Sequence, residues 1–134
     1  MTWLELILCI ALAAIALLHT AWAIGLWIPI RDEARLVRAV VGASGATRMP
    51  GPIPCALVAS GLLIVIMSLA ADPSALRAVI LVGAGAVLTI RGCLVWVPFW
   101  RRMTPVEPFA TLDRTAYGPL CIALGVGLLV VAAT

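Results

Sequence analysis

The segment WLELILCIALAAIALLHTAWAIGLW, residues 3–27, is the longest apolar run in the chain and contains a single charged residue, Glu5. At about 1.5 Å per residue, a helix of this length crosses a hydrocarbon core of about 30 Å with length to spare. The residues before it carry no Lys or Arg, the run exceeds the apolar region of a signal peptide, and no small-residue cleavage site follows. We therefore interpret it as a retained transmembrane helix.

Three further apolar runs follow, at about residues 55–71, 75–96 and 117–133. The second has a proline-rich entry, and the third contains one charge, Arg91. None alternates between apolar and polar residues as a barrel strand would, and only helices satisfy their own backbone groups in lipid. The sequence predicts one all-α domain, residues 1–134, folded as an integral membrane bundle of four transmembrane helices.

The composition excludes a soluble fold. Hydrophobic residues make up 64% of the 134 residues, charged residues only 11%, and the mean hydropathy is +1.19. Average globular chains are about half apolar and about a quarter charged. The lipid bilayer is therefore the expected surrounding, and nucleic acid is not an expected partner because no basic run is interleaved with aromatic residues.

The distribution of arginine predicts the orientation. All nine basic residues are arginine, and the side that holds both termini and the turn at Asp72 and Pro73 has only Arg77. Because cytoplasmic loops carry the excess of positive charge, we expect the long connections in the cytoplasm and both termini outside. The seven arginines of those connections are Arg31, Arg35, Arg38, Arg48, Arg101, Arg102 and Arg114.

The first long connection contains an amphipathic pattern at residues 31–41. Three arginines fall on one helical face, whereas Leu36, Val37, Val40 and Val41 form an apolar face. The pattern fits a short helix lying on the membrane surface, and it fits equally a solvated loop that carries cytoplasmic positive charge.

Small residues indicate where the helices approach each other. The third predicted span contains Gly83-Ala84-Gly85-Ala86, and the fourth contains Gly125 and Gly127. Glycine and alanine permit close backbone contact in lipid, although an alanine-rich composition also produces such runs without any contact.

Polar residues of different spans converge toward the cytoplasmic leaflet. Polar groups within a membrane are costly, so their depth is the main functional signal in this sequence. The candidate ligand-binding residues are His19, Trp22, Arg91, Asp113 and Tyr117. Arg91 supplies a fixed charge with five donors for a carboxylate or phosphate, and the His19 imidazole is a group that can accept or donate a proton.

Three of these residues also have a structural interpretation. Arg91 lies five residues before Trp96, within reach of the head groups by snorkelling, and it can pair with Asp113 instead. His19 can serve as an interhelical hydrogen-bond partner. Asp113, placed just before the fourth predicted span, is expected to cap that helix or to favour its positive dipole end.

No cofactor and no metal site are predicted. The four cysteines show no C-x-x-C pair and no metal-ligand spacing. A soft-metal site that combines Cys55, Cys93, Cys121 and His19 is the less favoured alternative. No nucleophile elbow, phosphate loop or haem-attachment motif is present, so the catalytic residues, if any, are unknown.

Residues 109–121 read FATLDRTAYGPLC, and residues 19–25 read HTAWAIG. These two segments resemble the F-A-x-L-D-x-x-x-Y-x-P-L-C stretch and the H-x-x-W-A-x-G signature of a family of small four-helix bacterial membrane proteins, the domain of unknown function 3995 family. Residues 98–102, PFWRR, are similar to its G-F-F-K-R segment, and Arg91 matches an arginine near the end of its third helix. The chain departs from the family pattern at residues 92–95, GCLV, where the family has acidic and aromatic residues.

This resemblance implies a four-helix fold and a multi-pass protein of the bacterial inner membrane, and it implies no established activity. Three functions stay open. The favoured one is a small binding protein or accessory subunit with a cytoplasmic-leaflet pocket for a lipid-like or anionic amphiphile, packed as a homo-oligomer or within a larger membrane complex. The alternatives are a membrane-embedded enzyme acting on a hydrophobic substrate and an oligomeric small-molecule transporter.

Overall fold

Four long helices build the protein, and a computed structural model describes all residues from Met1 to Thr134. Helix α1 spans Trp3–Ala23, a short helix α2 spans Glu33–Val40, α3 spans Pro52–Ala70 and α4 spans Ala75–Cys93. A 3₁₀ turn at Leu94–Trp96 and a short helix α5 at Pro98–Met103 follow. The last long helix runs from Phe109 to Ala133 and consists of α6 (Phe109–Leu112), a π-helical turn (Asp113–Tyr117) and α7 (Gly118–Ala133).

Local chemistry sets the ends of these helices. A reciprocal capping box starts α1, because the Thr2 hydroxyl accepts a hydrogen bond from the Glu5 N–H and the Glu5 carboxylate accepts one from the Thr2 N–H. Gly25, at a φ of +78°, follows the end of α1. A proline occupies the first turn of α3, where the missing N–H costs nothing.

With the 3₁₀ turn counted as the end of the third, the four long helices contain 21, 19, 22 and 25 residues and are apolar enough to cross a membrane. This confirms the predicted all-α membrane bundle. The fourth long helix begins at Phe109, eight residues before the start expected from hydropathy, so Asp113 lies inside a helix rather than ahead of one.

The long helices form two antiparallel pairs, α1 with α3 and α4 with α7. Contacts between the pairs bury a cluster in one half of the bundle, with Leu12, Leu81 and Leu128 fully inaccessible. This half holds both termini and the α3–α4 turn, and we call it the terminal end. The opposite half carries the connections 24–51 and 97–108, and we call it the loop end.

Two glycine pairs hold α4 against α7. A Cβ atom on Gly85 would lie 2.9 Å from the Gly125 carbonyl oxygen, and one on Gly92 would lie 2.6 Å from the Gly118 carbonyl oxygen. The two glycine pairs are seven residues apart on each helix, so the same antiparallel register serves both. By contrast, a Cβ atom on Gly83 would have no neighbouring atom within 4 Å. Of the three glycines of α4, Gly85 and Gly92 therefore contact α7 closely and Gly83 does not.

Helix α2 is covered by protein at the loop end. Leu36 and Val37 are buried with Met49, and Trp22 and Trp27 pack against this cluster. Gly42, at a φ of +67°, lies directly against the Phe109 ring, so a side chain there would collide with it. The apolar face of α2 therefore packs against other parts of the protein. Neither interpretation of this segment, a helix on the membrane surface or a solvated loop, had predicted this contact.

Candidate functional site

An ion pair joins α4 to the last long helix at the loop end. The Arg91 Nη2 group donates to Asp113 Oδ1 over 2.7 Å, and the Trp100 Nε1–H donates to Asp113 Oδ2 over 2.8 Å. The Arg91 guanidinium also lies over the Trp100 ring, 4.7 Å from its centroid. The Asp113 side chain is only 4% exposed, so this charge is desolvated and is compensated by two donors.

Two features of the sequence bring these side chains together. The Gly92–Gly118 contact lets the helix backbones approach next to Arg91. Pro119 lacks an N–H and its ring cannot fit against the carbonyl four residues earlier, so the helix widens into a π turn before it. In that turn the Gly118 N–H donates to the Asp113 carbonyl, five residues back.

The sequence interpretation of Asp113 as a helix cap is wrong. No side-chain cap is present at α6, at the π turn or at α7, and both carboxylate oxygens of Asp113 bind Arg91 and Trp100 instead. Of the two structural interpretations of Arg91, the Asp113 pair is the one that forms. The Arg91 Nη1 group is buried and has no hydrogen-bond partner, the sole such side-chain nitrogen or oxygen atom in the protein.

Tyr117 connects the π turn to α2. Its hydroxyl donates to the Ala39 carbonyl over 3.0 Å, and its ring packs against Phe109 with centroids 5.8 Å apart. Tyr117 therefore lies near Asp113 along the chain, and its hydroxyl is committed to the α2 backbone.

His19 and Trp22 lie elsewhere at the loop end. The His19 Nδ1 atom is 2.8 Å from the Ile15 carbonyl oxygen, and the rings of His19 and Trp22 are 4.9 Å apart. Trp22 Nε1–H donates to the Ile28 carbonyl. Both side chains line a small cavity of about 140 Å³ between α1, α2 and α3, which we call the histidine cavity.

A larger cavity of about 590 Å³ lies between α5 and α6, and we call it the arginine cavity. Its polar lining is cationic, and Asp113 is the only acidic residue in it. The two salt bridges of the protein involve Arg77 and Arg91, so the arginines around this cavity have no acidic partner. They are Arg101, Arg102 and Arg114.

The predicted set of five residues is therefore divided between places. Arg91 and Asp113 are in contact, and Tyr117 adjoins them through the π turn. His19 and Trp22 belong to the histidine cavity, with α1, α2 and α3. The alternative soft-metal site of Cys55, Cys93, Cys121 and His19 does not form, because no group of three His, Cys, Asp or Glu side chains is present; of these cysteines only Cys55 lines the histidine cavity with His19.

Sequence reasoning missed two features. Trp100 was not among the predicted site residues, yet its Nε1–H donates to the Asp113 carboxylate. At the terminal end, Arg77 Nη2 donates to Glu5 Oε1 over 2.6 Å, and Arg77 Nε donates to the Ser68 carbonyl. The sequence offered one signal for this second pair: Glu5 is the only acidic residue of the first span, and Arg77 is the only arginine on the same predicted side of the membrane.

The fold and these sites define the class: a small multi-pass membrane protein with four apolar helices and an ion pair at each end of the bundle. The chain belongs to the family described as "Protein of unknown function (DUF3995)", whose model matches residues 12–128. This confirms the resemblance carried by the three sequence segments. Comparison with curated proteins and with solved structures gives no match.

Proposed function

We propose that this protein binds an anionic amphiphile in the arginine cavity, as a small membrane-embedded binding protein or accessory subunit. One observation carries the proposal: three guanidinium groups without acidic partners surround one cavity of about 590 Å³. That volume is in the range of small-molecule sites, about 300 to 1,000 Å³. Guanidinium groups bind phosphate or carboxylate in a bidentate geometry, so the head group is the part of the ligand they would hold.

The ion pair beside the cavity supports this assignment. Asp113 lines the cavity, but both of its oxygens are engaged by Arg91 and Trp100. Its charge is thereby balanced by Arg91, and it forms no ion pair with Arg101, Arg102 or Arg114. The lining keeps a net positive charge that an anionic head group would neutralise.

The surroundings of the cavity suit a ligand with an apolar tail. Trp96 and Phe99 are 56% and 71% exposed, on the segment that also supplies the cavity residues Pro98 and Trp100. In a bilayer such exposed aromatic side chains lie at the head-group level. We propose that the head group enters the cavity while the tail stays in the adjoining lipid.

We also propose that the loop end faces the cytoplasm and that the membrane is the bacterial inner membrane. The support is the arginine distribution, seven in the long connections against one at the terminal end. A periplasm-active alkaline phosphatase fused after Thr134 should be active, whereas the same reporter inserted at Ser44 should be inactive. The reverse pattern would contradict this orientation.

The enzyme alternative gains no support from the geometry. It needs a proton-transfer residue beside the arginine that holds the substrate. His19 lines the histidine cavity, whereas Arg91 contacts α5 and the π turn. No specific observation favours transport either, so the binding function is the one we advance.

Native mass spectrometry with defined lipids tests the binding proposal. The purified protein is titrated with phosphatidylglycerol or with phosphatidylcholine of the same acyl chains. We expect selective binding of the anionic lipid, and we expect Arg101→Gln/Arg102→Gln to weaken it about tenfold or more, because each contact between a charge and a hydrogen-bonding group contributes about 1.5 kcal/mol or more.

The matched control is Arg31→Gln/Arg35→Gln. These two arginines are exposed at the same end and outside the cavity, and the net charge changes equally. The control should retain the wild-type affinity. Equal loss in both double variants would mean that the anion follows overall charge, and the arginine cavity would not be its site.

A further inference from the structure

The histidine cavity contains three soft metal ligands of different kinds. An imidazole, a thioether and a thiol line it, from His19 on α1, Met49 before α3 and Cys55 in the first turn of α3. Its volume of about 140 Å³ is below the range of small-molecule sites, so an amphiphile of the kind proposed above does not fit. A metal ion held by side chains of the lining fits within this space.

The hydrogen bonding of His19 prepares one of its nitrogens to bind a metal. Because the Ile15 carbonyl can only accept, Nδ1 carries the proton in the 2.8 Å contact, and the lone pair of the neutral ring is on Nε2. Nε2 makes no hydrogen bond within the protein, and it is not among the buried atoms that lack a partner, so it is accessible. A backbone carbonyl that fixes the other ring nitrogen is the usual arrangement behind a metal-binding histidine.

The two sulfur residues are held by the surrounding fold. Met49 is 8% exposed and packs with Leu36 and Val37, and its backbone N–H donates to the Glu33 carboxylate over 2.9 Å. Cys55 is 5% exposed and has no disulfide partner. Both residues therefore reach the cavity from rigid positions.

The donor set selects the class of metal. Thiolate and thioether ligands favour Cu(I), and imidazole accepts it, whereas Mg²⁺ and Ca²⁺ require oxygen ligands, and no carboxylate lines this cavity. A monovalent ion bound to one thiolate carries no net charge. Such a complex suits the apolar part of the lining, which includes Val40, Val41 and Val58. A divalent ion would leave an uncompensated charge there.

We propose that His19, Met49 and Cys55 form a binding site for a soft monovalent metal ion, Cu(I) or its analogue Ag(I). Binding forms a bond between the metal and the Cys55 Sγ, and the thiol proton is released to solvent. The metal keeps its oxidation state, so no oxidant or reductant takes part in the step. This site is independent of the arginine cavity.

The test titrates the full-length protein in detergent with Cu(I), without oxygen and against a chromophoric Cu(I) chelator. We expect one bound ion per chain. Cys55→Ala, Met49→Leu and His19→Gln should each weaken binding about tenfold or more, since even the loss of an outer partner of a metal ligand costs about 10- to 100-fold. Cys93→Ala and Met103→Leu remove exposed sulfur residues outside the cavity and should retain the wild-type affinity.

X-ray absorption at the copper edge makes the test independent of any variant. The wild-type complex should contain both sulfur and nitrogen scatterers around Cu(I). A ligand shell without sulfur, an affinity that falls with Cys93→Ala, or one that is unchanged by all three cavity substitutions would overturn the proposal. Arg101→Gln/Arg102→Gln should bind Cu(I) normally, which distinguishes this result from the outcome of the lipid experiment.

Discussion

The two ends of the bundle each contain an ion pair that joins α4 to another helix, yet the surroundings of the pairs differ. At the terminal end, Arg77 is bound by Glu5 and by the Ser68 carbonyl, next to the closely packed core. At the loop end, Arg91 binds Asp113 beside the arginine cavity and keeps one buried donor without a partner. The first pair lies beside a closed core, whereas the second includes Asp113, which lines the arginine cavity.

Chain connectivity explains this difference. At the terminal end a four-residue turn links α3 to α4, so little chain separates the helices there. At the loop end, the much longer connections 24–51 and 97–108 contain α2 and α5. The connection 24–51 lines part of the histidine cavity, and the connection 97–108 lines part of the arginine cavity and supplies Arg101 and Arg102.

The largest expected effect comes from forcing the loop end apart. A Cβ atom on Gly92 would lie 2.6 Å from a backbone oxygen of α7, which cannot move away as a side chain can. Gly92→Leu should therefore lower the free energy of unfolding by more than about 3 kcal/mol, or prevent folding. Thermal unfolding followed by tryptophan fluorescence measures this.

Gly83→Leu on the same helix is the matched control. A Cβ atom on Gly83 would have no neighbouring atom within 4 Å, so we expect a change within about 0.5 kcal/mol. Equal destabilisation by both variants would contradict the role of the glycine pairs.

The next largest effect separates the two ion pairs. Asp113→Asn and Glu5→Gln each leave a largely buried guanidinium without its counter-charge, and each should cost about 3 kcal/mol. The two variants should differ in lipid binding, because the proposed anion site lies at the loop end, away from Glu5. Glu5→Gln should retain the wild-type lipid affinity in the native mass spectrometry assay. A weakened affinity in that variant would show that the terminal end takes part in binding.

Salt dependence tests the arginine cavity with a smaller effect. Exposed charges are screened over about 8 Å at physiological ionic strength, so the affinity for phosphatidylglycerol should fall several-fold as salt rises. The slope should be shallower in Arg101→Gln/Arg102→Gln than in wild type. Identical slopes, measured by flotation with vesicles of fixed lipid composition, would place the charge interaction elsewhere.

The smallest effect concerns the link between the π turn and α2. Tyr117→Phe removes the hydrogen bond to the Ala39 carbonyl and should cost about 1 kcal/mol. Because α2 is short, the loss should show as faster hydrogen exchange at residues 36–42, with little change at α1. Uniformly faster exchange over the chain would mean that this bond supports the whole bundle rather than α2.

The sequence predicted the membrane bundle because its signal, four long uncharged runs, does not depend on tertiary contacts. It also predicted the Arg91–Asp113 pair as one of two alternatives. Trp100 could not be assigned, since its role depends on how α5 folds back toward Asp113. The start of the last long helix was missed because Asp113 and Arg114 are as hydrophilic as loop residues. In the structure, Asp113 lies inside this helix and pairs with Arg91.

The division of the predicted site had a similar cause. Depth along each span placed His19 and Arg91 at the same level, but depth says nothing about which helices are neighbours. The pairing of α1 with α3 and of α4 with α7 separates these residues into two sites. The burial of α2 was likewise invisible, because an apolar face looks the same whether protein or lipid covers it.

The most direct test of the difference between the two ends is photocrosslinking with an anionic lipid that carries a diazirine in its head group. The protein is irradiated in vesicles that contain this lipid, and the labelled residues are mapped by peptide mass spectrometry. The arginine cavity predicts labelling concentrated in residues 95–114 and reduced by Arg101→Gln/Arg102→Gln. Equal labelling of residues 68–77 at the terminal end, or none in 95–114, would contradict the account.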